Sequence, residues 1–182
     1  LTKSAWDSKV DFYGATVLTS PIGGYASSLS KHFESVLELF SDAILHPSFP
    51  QSEFESILKQ YLSNIAAQKE EADAIAGNIS KVLTFSIGHP YSEVVTERSL
   101  MSLTLEDCMN YYSQNFMPNS AYLIFEGDIN IAEATKLSEQ YFGSWTSKPF
   151  KKQNFDNSFP EGRNAISIVN KSSAVQSLIA FT

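Results

Sequence analysis

Few side chains in this 182-residue chain have the types and spacing that support chemistry: three histidines, His32, His46 and His89, one cysteine, Cys108, and the acidic pairs Glu70-Glu71 and Glu106-Asp107. A helical zinc site needs two His one turn apart with a carboxylate on the same face, as H-E-x-x-H or its inversion H-x-x-E-H. None of the three histidines has that company. His32 is followed three and four positions later by Ser35 and Val36, His46 by Phe49 and Pro50, and His89 by Ser92 and Glu93. His32 reads as a polar residue beside an apolar stripe that begins at Phe33, while His46 and His89 each precede a proline and read as turn residues. A single cysteine excludes an internal disulfide and a Cys-based zinc cluster, and Cys108, next to Met109, reads as a small buried hydrophobe rather than a thiolate. There is no G-x-S-x-G elbow for a serine nucleophile, and Gly23-Gly24 or Gly127 alone does not specify a phosphate cradle. The two acidic pairs read as solvated helix ends, since carboxylates do acid–base work only where something buries them. No catalytic, cofactor-binding or metal-binding residue is assigned.

The elements that would have to position such groups can be read from periodicity. Trp6, Val10 and Tyr13 stand at helical spacing, and Gly14 follows where a helix ends in a left-handed residue. The β-branched stretch 15–20, the turn residues Pro21-Ile22-Gly23-Gly24 and the short side chains of 25–29 predict a β-hairpin. Phe33, Val36, Leu37, Phe40, Ile44 and Leu45 then trace a helix that Ser30 could cap and His46-Pro47 ends. A second long helix starts at Pro50 and carries Phe54, Ile57, Leu58, Tyr61, Leu62 and Ile65; a third carries Ile75, Ile79, Val82, Leu83 and Phe85 and stops before Gly88-His89-Pro90-Tyr91. Thr104-Leu105-Glu106-Asp107 predicts a capped helix start, and Asp128 or Asn130 caps another helix that runs to Tyr141 and closes at Gly143. The apolar runs 121–128, 165–169 and 174–181 predict strands. Strands and helices are segregated rather than alternating. The expected fold is therefore α+β, a mostly antiparallel β-sheet backed by α-helices on one face.

Composition narrows the partners. Thirteen Lys and Arg against twenty Asp and Glu give a net charge of −7, which argues against a protein that grips nucleic acid. At 43% hydrophobic residues the chain is too apolar for disorder, and no apolar run is long enough to cross a bilayer, so a soluble globular domain is expected. One cysteine is compatible with a bacterial periplasm or a cytoplasm, and the compartment stays open. The chain begins as if inside a helix and stops inside an apolar run, which predicts an excised part of a larger protein.

Several phrases, in order, resemble the pitrilysin/insulinase-type zinc metallopeptidase family, which includes the mitochondrial processing peptidase. They are Val10-Asp11-Phe12-Tyr13-Gly14-Ala15; Ser28-Leu29-Ser30-Lys31-His32; Leu37-Glu38-Leu39-Phe40-Ser41-Asp42-Ala43-Ile44-Leu45-His46-Pro47; Glu53-Phe54-Glu55 with Lys59; Gly88-His89-Pro90-Tyr91; Leu103-Thr104-Leu105-Glu106-Asp107; Phe116-Met117-Pro118-Asn119-Ser120; Glu126-Gly127-Asp128-Ile129; and Tyr141-Phe142-Gly143-Ser144-Trp145.

The resemblance implies repeated α+β domains, two halves closing as a clamshell, and peptides cut inside it. In the active domain, zinc is held by H-x-x-E-H in a helix just before the segment equivalent to 2–14, with a further Glu on a later helix. The upstream helix is absent or truncated here. Where the later Glu is expected, around 55–64, stand Lys59, Gln60, Ser63 and Asn64, with no Glu after Glu55 until Glu70. Both departures, with Ser27-Ser28-Leu29-Ser30-Lys31, resemble the family's non-catalytic domain. On this reading residues 1–162 form one peptidase-like domain and 163–182 lead toward the next. The fragment has no metal of its own, zinc belongs to a catalytic domain of the parent or a partner, and the partners are peptide or unfolded polypeptide and another peptidase-like domain or subunit. Two other readings remain: part of an active zinc endopeptidase whose H-x-x-E-H lies upstream, and a structural or assembly subunit with the same fold.

Overall fold

The computed structural model describes residues 3–149, 166–174, 176–179 and 181. They divide into two compact units. Unit 1 comprises Leu1–Phe49 and Glu106–Phe150, and unit 2 comprises Pro50–Leu105 and Lys151–Thr182.

Unit 1 opens with helix α1, Lys3–Phe12. Its end is a Schellman motif: Gly14 has φ +56°, its N–H donates to the Asp11 carbonyl at 2.9 Å, and the Ala15 N–H reaches back to the Val10 carbonyl at 3.1 Å. Strand β1, Thr16–Ser20, then turns through Pro21 and Ile22 into β2, Gly23–Ser27, antiparallel to it. The pair Val17 and Ala26 faces inward, whereas the next pair, Leu18 and Tyr25, faces solvent, as a period of two requires. Gly24 is required by close packing, because a Cβ there would sit 2.6 Å from Cε2 of Phe40 and 3.0 Å from the Leu18 carbonyl oxygen.

A 3-10 turn, Ser30–His32, leads into α2, Phe33–Leu45. The expected Ser30 cap is not made: Leu29 and His32 occupy the two cap positions, and neither makes a side-chain capping bond, because the 3-10 turn starts the coil earlier and satisfies N–H groups through the backbone. Helix α2 is the centre of the unit. Its Val36, Leu37, Leu39, Phe40 and Ile44 join Val10, Val17 and Leu137 in one buried cluster, with Trp6, Phe33, Phe125, Phe142 and Trp145 packed around it. Leu137 arrives on α7, Ile131–Phe142, whose N-terminus is capped by the Asn130 side chain accepting from the Glu133 N–H at 2.9 Å. Between the two predicted caps the structure selects Asn130 over Asp128. The remaining helix of this unit, α6, Leu105–Asn115, ends just short of the predicted Phe116.

Unit 2 contains α3, Gln51–Gln68, α4, Ala72–Phe85, and the short α5, Glu97–Ser102. Pro50 is the N-cap of α3, and α3 packs against α5 while α4 packs against a 3-10 turn, Pro90–Ser92. Helix α5 has no counterpart among the elements expected from the sequence. It begins at a reciprocal capping box in which the Thr96 hydroxyl accepts from the Ser99 N–H at 3.1 Å and the Ser99 hydroxyl accepts from the Thr96 N–H at 2.9 Å. Among the described residues of this unit, the buried apolar side chains are Ile65 and Leu100.

The strand expectations need correction. The described residues are mostly helical with a two-stranded antiparallel sheet, so of the expected helix-backed antiparallel sheet they form only this hairpin. The run 121–126 is not part of any ladder. It still alternates, with Phe125 packed on the core and Tyr122 and Ile124 left 95% and 84% exposed, but a strand exists only where a neighbour takes its N–H and C=O groups. Residues 166–169 likewise carry no ladder, nor do the described members of 174–181; Ala165, Val175 and Ala180 of those runs lie outside the described residues.

Candidate functional site

The groups that could do chemistry are placed as local structure rather than as a converging site. His32 closes the 3-10 turn before α2, and its ring lies 5.3 Å from that of Tyr13. His46 sits at the opposite end of the same helix, as its C-cap, with Nδ1 3.3 Å from Oδ1 of Asp42. Thirteen helical residues separate the two, about 20 Å at 1.5 Å per residue, so these imidazoles cannot share an ion. His89 belongs to unit 2. There its Nδ1 accepts from the Tyr91 N–H at 3.1 Å, its ring stacks on Phe85 with centroids 5.2 Å apart, and its carbonyl accepts from the Ser92 hydroxyl at 2.8 Å. Two of the three histidines thus cap chain reversals, in keeping with their place before proline.

Cys108 is half-buried on α6. Lys59, Gln60, Ser63 and Asn64 are all exposed on α3, on the side of the helix away from Phe54, Leu58, Leu62 and Ile65. Among the described residues no group of three or more His, Cys, Asp or Glu side chains is arranged to hold a metal ion. The described donor set therefore does not fit a zinc centre of its own. Nor is any buried side-chain nitrogen or oxygen among the described residues without a hydrogen-bond partner, so no polar atom there waits for a ligand.

The acidic groups divide unevenly between the units. Unit 1 carries five Lys against eleven Asp and Glu, a balance of −6, while unit 2 carries eight Lys and Arg against nine acids. Every acid of unit 1 except Asp7 is exposed. One of them is structural. Glu34, in the first turn of α2, accepts from Gln140 Nε2 and the Tyr141 hydroxyl, each at 3.3 Å, and ties the end of α7 to the start of α2. Partial burial, and then the Glu34 charge beside it, push the Tyr141 hydroxyl pKa up. A second clasp is made by Tyr112 of α6, whose hydroxyl lies 2.7 Å from the Ile44 carbonyl and 3.0 Å from that of Leu45, and so satisfies carbonyls that the end of α2 leaves open. Desolvation raises the Tyr112 pKa.

In unit 2, Glu70 is held in an ion pair: Lys171 Nζ stands 2.6 Å from its Oε2, and that hydrogen bond, followed by the lysine charge, lowers the carboxyl pKa. A second surface pair joins Lys69 of α3 to Glu97 of α5 at 2.8 Å. Local sequence holds no sign of the Tyr112 and Glu34 clasps, which join residues 67 and 107 positions apart. The α5 box had a local signal, Thr-x-x-Ser, weaker than the usual Glu or Gln at the fourth place.

With the fold and these groups in place, the chain can be compared with known proteins. Residues 102–182 match the family described as the peptidase M16 inactive domain. That part of the chain is therefore similar to a non-catalytic domain of M16 peptidases, in line with the resemblance read from the motifs. A solved structure, a protease from Helicobacter pylori, superposes with a TM-score of 0.72 over 88% of this chain at 17% identity, a likeness of fold. The present chain spans 40% of the length of that protease. No curated protein matches the chain. Among the described residues no helix is long and apolar enough to cross a membrane.

Proposed function

We propose that this chain is a non-catalytic, peptidase-like domain that forms one wall of a peptide-enclosing chamber and pairs with a catalytic domain or subunit. The observation that carries the reading is the match of residues 102–182 to the inactive domain of M16 peptidases. In this reading residues 1–162 are one domain and 163–182 lead into the next, with the apolar runs 121–128, 165–169 and 174–181 as strands of a larger antiparallel sheet in the parent protein. Zinc is held by the catalytic partner, whose hydrolytic chemistry this chain does not supply. The contribution of this chain is electrostatic and steric: an exposed surface of −6 on unit 1 raises the local concentration of basic, unfolded peptide, and the domain helps to hold the partner's active site in geometry.

The test is direct. The purified chain should carry no stoichiometric zinc by elemental analysis and should not cleave an unfolded basic peptide, and adding a motif-bearing catalytic domain should produce cleavage faster than that domain achieves alone. Stoichiometric zinc lost on changing His32, His46 or His89 would overturn the reading.

A further inference from the structure

We draw no further inference here: the strongest candidate, the cleft of about 390 Å³ in unit 2 between α3, α4 and residues 94–98, with Ile65 and Ile75 on its floor and Arg98 and the Lys69–Glu97 pair at its rim, carries nothing because its aliphatic lining continues into exposed apolar surface at Val95 and nothing in the structure shows what covers it.

Discussion

Units 1 and 2 are built from similar amphipathic helices but bury their apolar stripes to different extents. In unit 1 the α2 stripe meets the hairpin on one side and α7 on another, and eight side chains close into a single cluster. In unit 2 the stripe on α3 is only partly covered: Ile65 is buried, but Ile57 and Tyr61, two turns and one turn earlier, remain 50% and 56% exposed. Helix α4 buries no residue fully, and Leu83 on it is 50% exposed. The contrast teaches that an apolar period specifies a helix and a face, while the partner for that face has to come from somewhere else in the protein. Unit 1 contains the partners of its α2 stripe, although Ile22, Tyr122 and Ile124 elsewhere in it stay exposed, whereas unit 2 leaves the stripes of α3 and α4 themselves partly uncovered.

The largest effect that could break this comparison comes from the cores. Leu137→Ala, in the closed cluster of unit 1, should cost about 3 kcal/mol, since the cavity it leaves is lined by packed neighbours. Leu100→Ala, in the more open surroundings of unit 2, should cost about 2 kcal/mol or less, because water can reach the gap and little beyond transfer free energy is lost. Both tryptophans, Trp6 and Trp145, pack on the unit 1 core, so their fluorescence in a denaturant titration reads unit 1 selectively, while amide exchange in α3 and α5 reads unit 2. Equal costs would remove the distinction.

Gly24→Ala comes next, at about 1–3 kcal/mol, because the added methyl overlaps the Phe40 ring and the Leu18 carbonyl, and the hairpin must shift off α2. The same fluorescence transition should move to lower denaturant with an unchanged slope. An unaltered midpoint would mean that the hairpin meets the helix more loosely than the Gly24–Phe40 approach implies.

Tyr112→Phe should cost about 1 kcal/mol by leaving the Ile44 and Leu45 carbonyls without their donor. Its pH dependence sharpens the test. A raised tyrosine pKa favours the neutral hydroxyl in the folded state, so this contribution is fully present below about pH 10, the ordinary tyrosine value, and is lost as pH rises through the raised pKa. The variant should therefore lose less stability than the parent on going to strongly alkaline pH, measured as the difference in denaturation midpoints between neutral and alkaline buffer.

The smallest effect is expected in unit 2. Thr96→Ala removes half of the α5 capping box and should cost about 0.5–1 kcal/mol, seen as faster amide exchange confined to 97–102. Spread of that loosening into α2 or α7 would show the units to be more tightly coupled than their separate cores imply.

Local chemistry in the chain accounts for much of the observed structure. The Gly14 helix end, the hairpin with its Pro21-Ile22 turn, the long stripes of α2 and α3 and the Asn130 cap all depend on residues within a few positions of one another, and all were readable. At the histidines the local reading concerned position: His46 and His89 stand before prolines as turn residues, and the structure makes them a helix C-cap and a turn N-cap, while His32 packs its ring beside Tyr13. What could not be read depends on partners distant in sequence. Ladder formation is the clearest case, since 121–126 has the composition and alternation of a strand yet becomes one only where another backbone supplies its hydrogen bonds. The Ser30 cap failed for a smaller reason, a 3-10 turn over Ser30–His32 that makes His32 the N-cap of α2.

By itself the sequence determined the helices other than α5, the hairpin, the acidic balance and the family motifs, because periodicity, turn residues and charge act over a few residues or over the whole composition. Only the tertiary structure decided that Leu137 would complete the α2 core, that Tyr112 and Glu34 would clasp the ends of that helix, and that the apolar faces of unit 2 would stay partly uncovered. Each of those outcomes needs two segments brought together across the chain, and burial and hydrogen bonding are satisfied by whichever surfaces meet in space.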